Sequence, residues 1–303
     1  MPHTLNHSAA FVGCVRDCEA FLPGVLANLE SLSGLFRQSA FVMIENDSRD
    51  RTKDLLNDWG RGQDRFHLES LDGLDAQVRP RTARLAIARN RYLDIVRNSD
   101  LRDFDYLFVM DLDNVCQRPV DTDAFLEAVG YLNSDPSHAG VFANQERFYY
   151  DLWALRHPEL CPTDVWMDIL DHALSNGVSD QEAFDQVFRP RLFSLPADAA
   201  PVAVDSAFGG LGVYKMPAAL GGAYRGEREV RVKPYDAPEL TMTVQLCEHV
   251  PFNRRITRDG GRLFVMPSLI NYTTPHMDYP PSDCRTIVIR QEADQATRQE
   301  YCA

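Results

Sequence analysis

The chain has 303 residues, of which 45% are hydrophobic, and a formal net charge of -13 at pH 7. This length and hydrophobic content allow a full core, and we predict one continuous α/β domain, residues 1–303, with an elaborated C-terminal half. The acidic balance argues against a protein that binds a nucleic-acid phosphate backbone, so no nucleic-acid partner is predicted.

Targeting and redox signals are weak. The N-terminal residues lack a basic segment followed by an apolar stretch, and no run reaches the roughly 18 apolar residues of a membrane span. The seven cysteines are scattered, without Cys-x-x-Cys spacing, which is typical of reduced thiols. We predict a cytoplasmic protein. Docking on the inner face of the membrane stays an open alternative, although no strongly basic amphipathic stretch argues for it.

The first 60 residues alternate between apolar runs and helical segments. A run at residues 9–15 ends at Arg16, and a second run at residues 40–44 opens into a polar loop that begins with Glu45. Helical stretches follow at about residues 20–33 and 53–59. This repetition predicts two βα units of a parallel, nucleotide-binding sheet. Glu45 and Asp47 could there accept hydrogen bonds from a base or ribose.

Residues 82–98 have the apolar spacing of a helix that packs one face on the sheet. The apolar positions are Leu85, Ala88, Tyr92 and Ile95. Arg84, Arg89 and Arg91 lie among the remaining positions and could form no more than a solvated basic face. Because this helix leads directly to an acidic strand end, Arg89 could instead act as a fixed cation beside a bound diphosphate.

An apolar run in residues 105–113 ends with Asp111 and Asp113. Side chains alternate along a strand, so we expect the two carboxylates on one side, at the carboxyl end where open α/β sheets bind ligands. Mg²⁺ or Mn²⁺ is commonly held by one or two carboxylates while substrate phosphates complete the coordination. The structural alternative is that aspartates here cap a helix or begin a turn. Our hypothesis is metal-bound diphosphate chemistry.

Downstream, we predict a strand at residues 139–143 and another at residues 263–266. Between residues 158 and 201 we predict helices with Pro-marked breaks, which could form an insertion or a lid. Gly209 and Gly210 could allow close approach to a ligand or serve a tight turn. Tyr150 and Trp153 could stack on sugars, although such aromatics are more often core. Lone histidines such as His249 are usually structural.

Taken in order, these segments resemble nucleotide-sugar glycosyltransferases of the GT-A fold. The matching segments are Val15-Arg16-Asp17, Glu45-Asn46-Asp47-Ser48, Ala88-Arg89-Asn90, Asp111-Leu112-Asp113, Phe208-Gly209-Gly210 and Cys247-Glu248-His249. Within that fold, the combination of segments at residues 45–48, 84–93, 150–156 and 247–252 looks closest to the capsule-associated mannosyltransferases typified by fungal capsule synthesis proteins. The resemblance runs from about residue 10 to about residue 280.

The resemblance implies a Rossmann-like mixed sheet flanked by helices, with a nucleotide-binding half at residues 8–125 and a sugar and acceptor half at residues 126–303. It implies Mn²⁺ or Mg²⁺ as cofactor, a GDP-mannose or UDP-sugar donor, and a glycan or lipid-linked acceptor in surface polysaccharide synthesis. The implied donor-binding residues are Arg16, Glu45, Asp47, Arg89, Asn90, Asp111, Gly209 and Gly210, and the implied metal ligands are Asp111, Asp113 and His276.

Glu248 and His249 are the predicted catalytic residues. Many inverting members of that family carry Asp as general base at the second position of this pair, where this chain has His249. Glu248 could be the base, His249 could be, or the enzyme could retain configuration and need neither.

Two other functions stay open. The segment Val109-Met110-Asp111-Leu112-Asp113 also looks like the nucleophile motif of haloacid-dehalogenase-type phosphatases, in which Asp111 would attack phosphate and Asp113 would act as acid and base. In that family the motif normally lies on the first strand, whereas here two predicted βα units precede it. The third possibility is an inactive GT-A domain that binds sugar or nucleotide without turnover.

Overall fold

The computed structural model describes residues 5–271 and the backbone of residues 285–286. The strands are β1 (Leu5–Val15), β2 (Phe36–Glu45), β3 (Phe66–Ser70), β4 (Tyr106–Met110), β5 (His138–Gln145), β6 (Phe193–Ser194), β7 (Val202–Val204), β8 (Leu211–Lys215), β9 (Glu227–Val232), β10 (Leu240–Gln245), β11 (Arg262–Asn271) and β12 (Arg285–Thr286). The helices are α1 (Leu22–Ser33), α2 (Thr52–Gly60), α3 (Leu74–Gln77), α4 (Arg81–Arg97), α5 (Thr122–Asn133), α6 (Val165–Asn176), α7 (Asp180–Val187), α8 (Met216–Leu220) and α9 (His249–Arg258).

Eight of these strands form one mixed sheet in the order β3-β2-β1-β4-β8-β5-β11-β7. Strands β1 to β4 pair in parallel, which confirms the two predicted βα units. Strand β8 is inserted antiparallel between β4 and β5, and β11 pairs in parallel with β5. The predicted mixed α/β sheet flanked by helices is therefore confirmed. The carboxyl ends of β1, β2 and β4 lie side by side at one edge.

The core consists of two apolar layers, one on each face of the sheet. Alternation along β1 sends Ala10 and Val12 into one layer and Phe11 into the other. Helices α4, α6 and α9 contribute to the first layer, and α1 and α5 contribute to the second. Because the sheet is covered on both faces, its strands are nearly continuous apolar runs, as the sequence indicated.

Strand β4 is shorter than predicted. It ends at Met110, so Asp111 and Asp113 lie in the loop that follows. Alternation along a strand therefore does not determine how the two carboxylates are oriented. This corrects the sequence argument, although both residues do lie at the strand's carboxyl end.

The segment between residues 158 and 201 forms α6 and α7. Val165, Ile169 and Ala183 from these helices are buried in the first core layer, so the helical pair is packed into the body of the fold. Within the described residues, no helix is both long and apolar enough to cross a bilayer.

Candidate active site

The candidate site lies at the end of β4, where α4, the start of α9 and the glycine loop (residues 205–210) meet. The backbone N–H of Asp111 donates to the carbonyl oxygen of Gly210 over 2.8 Å. This bond extends the β4–β8 pairing by one step beyond the strand. The first carboxylate of the Asp111-Leu112-Asp113 segment is thereby held beside the glycine loop.

Arg89 on α4 connects the acidic parts of the site. It is 3% exposed, and its Nη2 donates to Asp111 Oδ1 over 3.0 Å while its Nε donates to Glu248 Oε1 over 2.9 Å. Its guanidinium carbon lies 5.2 Å from the centre of the Phe208 ring and 5.8 Å from that of Tyr224. Burial opposes the charge, but surrounding groups that include both carboxylates raise the pKa of Arg89 well above its ordinary value. Arg89 is therefore a fixed cation.

Each aspartate after β4 has one carboxylate oxygen bonded to the protein. Arg89 bonds Oδ1 of Asp111, and Oδ1 of Asp113 accepts the backbone N–H of Val115 over 3.0 Å. The second bond caps the 3-10 helix Asn114–Cys116, so the capping role considered from the sequence applies to Asp113. The other oxygen of each carboxylate has no hydrogen-bond partner among the described residues.

Carboxylate oxygens such as these two are the ligand type that a hard divalent cation takes, and metal binding by Asp111 and Asp113 stays a prediction. Burial and the neighbouring Asp111 both raise the pKa of Asp113, and a bound cation would relieve that repulsion. The described residues contain no group of three or more His, Cys, Asp or Glu side chains arranged to hold a metal ion. Asp111 and Asp113 would therefore hold Mn²⁺ or Mg²⁺ together with ligands from outside this set, such as water and substrate phosphates. His276 lies outside the described residues.

Glu248 and His249 are both buried where α9 begins. Glu248 is 4% exposed and ion-paired with Arg89, and His249 is 2% exposed. The imidazole stacks on Phe208 with 3.8 Å between ring centres, and neither ring nitrogen has a hydrogen-bond partner. Burial first, and the Arg89 charge second, lower the pKa of His249 well below its ordinary value, so the ring is neutral at pH 7. The role of either residue as base stays a prediction.

The glycine loop needs its glycines for packing. Gly209 and Gly210 have left-handed φ values of 68° and 84°. A Cβ on Gly209 would lie 2.6 Å from the carbonyl oxygen of Ala143, and one on Gly210 would lie 2.6 Å from Val115 Cγ1. The tight-turn alternative therefore explains both residues without a ligand, and their contact with a donor stays a prediction.

Replacing Gly209 with alanine is expected to destabilise the fold more than the same change at Gly260. Gly260 also has a positive φ, 90°, but a Cβ there would have no atom within 4 Å. Gly260→Ala should cost about 1–2 kcal/mol of backbone strain, and Gly209→Ala should cost about 1–3 kcal/mol more because of the close contact. Urea unfolding of both variants measures the difference. Equal losses would contradict a packing role for Gly209.

Glu45, predicted to bind the nucleoside, is committed to its own loop. Its side chain is fully buried at the end of β2, and Oε1 accepts the backbone N–H of Ser48 over 2.6 Å. Its Oε2 lies 3.1 Å from Lys53 Nζ, an ion-pair distance without a well-aligned hydrogen bond. Glu45 therefore shapes the loop after β2.

Asp47 and Arg16 hold the neighbouring turn. Asp47 has a left-handed φ of 55°, and its two oxygens accept the backbone N–H groups of Gly73, over 2.5 Å, and Asp75, over 2.8 Å. These bonds, that to Asp75 first, lower the pKa of Asp47. Arg16 Nη2 donates to Asp75 Oδ2 over 2.7 Å. The three sequence-predicted residues Arg16, Glu45 and Asp47 thus lie together at the ends of β1 and β2, and their contact with a nucleoside stays a prediction.

Asn90 lies on α4 and anchors an aromatic residue of the site. Its Nδ2 donates to the carbonyl oxygen of Tyr224, and its Oδ1 accepts the backbone N–H of Tyr224, both over 2.9 Å. Tyr224 in turn lies over Arg89. Asn90 therefore positions the cation indirectly, and the predicted donor contact is untested.

Sequence reasoning missed Asp151. Its Oδ2 accepts the backbone N–H of Gly209 over 2.9 Å, which ties the glycine loop to the segment after β5. Burial raises the pKa of Asp151 to about 6, and the charges of Asp111 and Glu248 act in the same direction. Asp151 lies in the 150–156 segment that resembles a family motif, but the sequence did not indicate its bond to a residue 58 positions away.

Comparison with known proteins found similarity in structure only. No family profile and no curated protein matches the sequence. The chain is similar to the mannosyltransferase PcManGT from Pyrobaculum calidifontis, solved with GDP-Man and Mn²⁺, at 13% identity and a TM-score of 0.46 over 89% of this chain and 57% of that chain. It is also similar to S. aureus TarS, at 9% identity and a TM-score of 0.45 over 88% of this chain and 60% of that chain.

A third similar structure is glucosyl-3-phosphoglycerate synthase from Mycobacterium tuberculosis, solved with Mn²⁺, UDP and phosphoglyceric acid. The identity is 16% and the TM-score 0.36, over 70% of this chain and 57% of that chain. The chain thus spans 57% to 60% of the lengths of these three proteins.

Proposed function

We propose that this chain is a metal-dependent glycosyltransferase of the GT-A type, which moves a sugar from a nucleoside diphosphate to a hydroxyl of a glycan or lipid-linked acceptor. The observation that carries the proposal is the arrangement after β4. Asp111 and Asp113 each have one carboxylate oxygen without a hydrogen-bond partner among the described residues. The buried cation Arg89 donates from Nη2 to Oδ1 of Asp111 over 3.0 Å. This combination suits a diphosphate, which needs a metal ion and a fixed positive charge.

The main chemical task is to stabilise the negative charge that develops on the leaving diphosphate. A divalent cation held by Asp111 and Asp113 would supply Lewis-acid stabilisation of that charge. Arg89 is already ordered by Glu248 and by two aromatic rings, so it needs no reorganisation when the charge appears. Its Nη1 is buried without a hydrogen-bond partner in the described part of the chain, so it could donate to an anionic oxygen only after a local movement opens a path to it.

The acceptor hydroxyl must also lose a proton, and two groups are proposed for that step. His249 is neutral at pH 7, so one of its two unpartnered ring nitrogens has a lone pair that can accept a proton, and its lowered pKa makes it a weak base. Glu248 is held by Arg89, which favours its ionised form but also occupies one of its oxygens. Because both side chains are buried, either one would need a substrate or a local movement to bring the proton within reach.

Mannose is the favoured sugar, with GDP-mannose as donor, and a UDP-sugar is the alternative. This narrower proposal includes a role in surface polysaccharide synthesis. It is supported by the ordered motifs at residues 45–48, 84–93, 150–156 and 247–252, which resemble those of capsule-associated mannosyltransferases. A cytoplasmic location with peripheral contact to the inner membrane face is part of the same proposal.

The phosphatase alternative has less support. It requires Asp111 to attack phosphorus from the end of a first strand, whereas Asp111 follows β4 and has Oδ1 bonded to Arg89. Trapping an aspartyl-phosphate would revive it. The inactive-domain alternative predicts donor binding without turnover on any acceptor, including water.

The proposal is tested by binding and slow hydrolysis of a panel of nucleotide sugars, GDP-mannose and the UDP-sugars foremost, with and without Mn²⁺. We expect one donor to be selected and its hydrolysis to depend on the metal ion. A chain that binds no donor under any metal condition would contradict the glycosyltransferase proposal. Binding without hydrolysis or transfer would favour the inactive domain.

A further inference from the structure

A basic cavity of about 850 Å³ lies beside α9. Its lining includes six arginines, Arg156, Arg225, Arg228, Arg254, Arg255 and Arg258. The acidic side chains in the lining are Asp164 and Asp168, which leaves a formal surplus of four positive charges. The whole chain carries a net charge of -13, so this concentration of arginine runs against the overall balance.

The acidic residues of the cavity already have partners. Asp164 Oδ2 lies 2.9 Å from Nη2 of Arg156, and Asp168 Oδ2 lies 2.5 Å from Nη1 of Arg191. Arg255 pairs with Asp259 over 2.9 Å. These pairs engage the carboxylates of Asp164, Asp168 and Asp259 without neutralising the rest of the cavity.

The other four arginines of the lining make no ion pair with any residue that the structure describes. They are Arg225, Arg228, Arg254 and Arg258. Arg254 and Arg258 lie on α9, Arg228 lies on β9, and Arg225 lies just before β9. Because they come from separate elements, the four arginines line one cavity and are not the solvated face of a single helix. Such a set is suited to an anion with several oxygens, because guanidinium groups bind phosphate through two parallel hydrogen bonds.

Arg254 is surrounded by like charge. Partial burial lowers its pKa first, and Arg156, Arg258 and Arg228 lower it further, while Asp205 opposes them. A bound anion would replace this repulsion with attraction. The cluster is therefore less favourable for the empty protein than for a complex with an anionic ligand.

The cavity adjoins the candidate active site through Tyr224. This residue lines the cavity, and its ring lies 5.8 Å from the guanidinium carbon of Arg89 and 5.5 Å from the ring of His249. Val250, the residue after His249, also lines the cavity. Arg156 is connected in addition to the glycine loop, because its backbone N–H donates to the carbonyl oxygen of Ser206 over 2.8 Å.

From this placement we infer that the arginine cavity binds the phosphate or diphosphate group of the acceptor. The inference rests on the proposed function and names the chemical class of its second substrate, a phosphorylated acceptor. The chemistry is the same for a water-soluble phosphate ester and for a lipid-linked phosphate. In either case the anionic group is held beside Tyr224 while the acceptor's hydroxyl reaches toward the donor.

The first test is calorimetric titration of the full chain with inorganic pyrophosphate, in the presence of EDTA so that the metal site cannot bind it. The wild type and Asp113→Asn should bind alike. The double variant Arg228→Gln/Arg254→Gln should bind about tenfold more weakly or worse, because two charge-assisted contacts are lost. Arg61→Gln, which removes a surface arginine paired with Asp58, is the control and should bind as the wild type does. An unchanged affinity in the double variant would overturn the inference.

The second test separates this inference from the proposed function. Donor hydrolysis with water as acceptor should be unchanged in Arg228→Gln/Arg254→Gln, whereas transfer to a phosphorylated acceptor should fall about tenfold or more. Equal loss of hydrolysis and transfer would overturn the acceptor role. Absence of donor hydrolysis in the wild type, with pyrophosphate still bound by the arginines, would count against the proposed function and not against the anion site.

The source of the phosphate is distinguished by competition against pyrophosphate. Glucose 1-phosphate represents a soluble ester, and farnesyl phosphate in detergent micelles represents a lipid-linked one. Displacement by either probe that is lost in the double variant supports the cavity as a phosphate site and identifies the source. Displacement by neither would overturn an acceptor role for the cavity.

Discussion

Arg89→Met is expected to lower the free energy of unfolding by about 3–5 kcal/mol, because it leaves a buried carboxylate without its partner. Glu248, which is 4% exposed, would lose the 2.9 Å bond to Nε, and Asp111 would lose the 3.0 Å bond to Nη2. Methionine keeps much of the side chain's length, so the change removes charge and hydrogen bonds more than volume. Urea unfolding monitored by circular dichroism measures the loss.

Arg91→Met is the matched control on the same helix. Arg91 pairs with Glu69 over 2.6 Å, but its side chain is 46% exposed, so its loss should cost less than about 1 kcal/mol. The double variant Arg89→Met/Glu248→Gln should recover part of the stability lost in Arg89→Met, because the unpaired charge is then absent. If Arg89→Met cost no more than Arg91→Met, the buried ion-pair arrangement described here would be wrong.

Asp113→Asn is expected to reduce metal-dependent donor turnover about a hundredfold or more while leaving the fold intact. Asparagine caps a helix as well as aspartate does, and its side-chain oxygen can still accept the N–H of Val115. Because burial and Asp111 raise the pKa of Asp113, the charged form is disfavoured in the folded protein. Removing that charge at pH 7 should therefore leave stability unchanged or raise it.

This variant separates the two roles of Asp113. If the residue served only as a cap, Asp113→Asn would keep full activity, since the capping bond survives. The control is Asp103→Asn, which removes a carboxylate that is 76% exposed and whose ion pair lies outside the candidate site. Turnover of the selected donor at saturating Mn²⁺, together with the unfolding midpoint, measures both properties.

The parts of the fold that could be predicted are those with a local signal. The apolar runs gave β1, β2, β4 and β5, and the 3.6-residue spacing gave α4, observed as Arg81–Arg97 against a predicted 82–98. The alternation argument requires a strand that continues through Asp113, whereas β4 ends at Met110. The difference arises because the backbone N–H of Asp111 bonds Gly210, which is a tertiary contact, while Asp113 turns back to cap the next 3-10 helix through a local bond to Val115.

The candidate site was predictable as a set of residues and not as a network. The motifs named Arg89, Asp111 and Glu248, but residue spacing does not reveal that one guanidinium joins two carboxylates from segments 22 and 159 positions away. Nor does it reveal that the oxygens of Asp47 are occupied by the turn at residues 73–75. Asp151 lies in a family-like motif, but no role was predicted for it, because its bond to Gly209 exists only after the chain has folded.

Local pattern was thus sufficient for the alternation of strands and helices, the parallel part of the sheet formed by β1 to β4, and the acidic end of β4. Hydrophobic periodicity and short motifs act within a few residues of the chain. Long-range contacts define the antiparallel insertion of β8, the Arg89 network and the arginine cavity beside α9. The cavity is lined by Arg156, Arg228 and Arg254, which come from separate elements. Burial and charge at such sites depend on which distant segments meet, and these two properties set the pKa of His249 and the repulsion around Arg254.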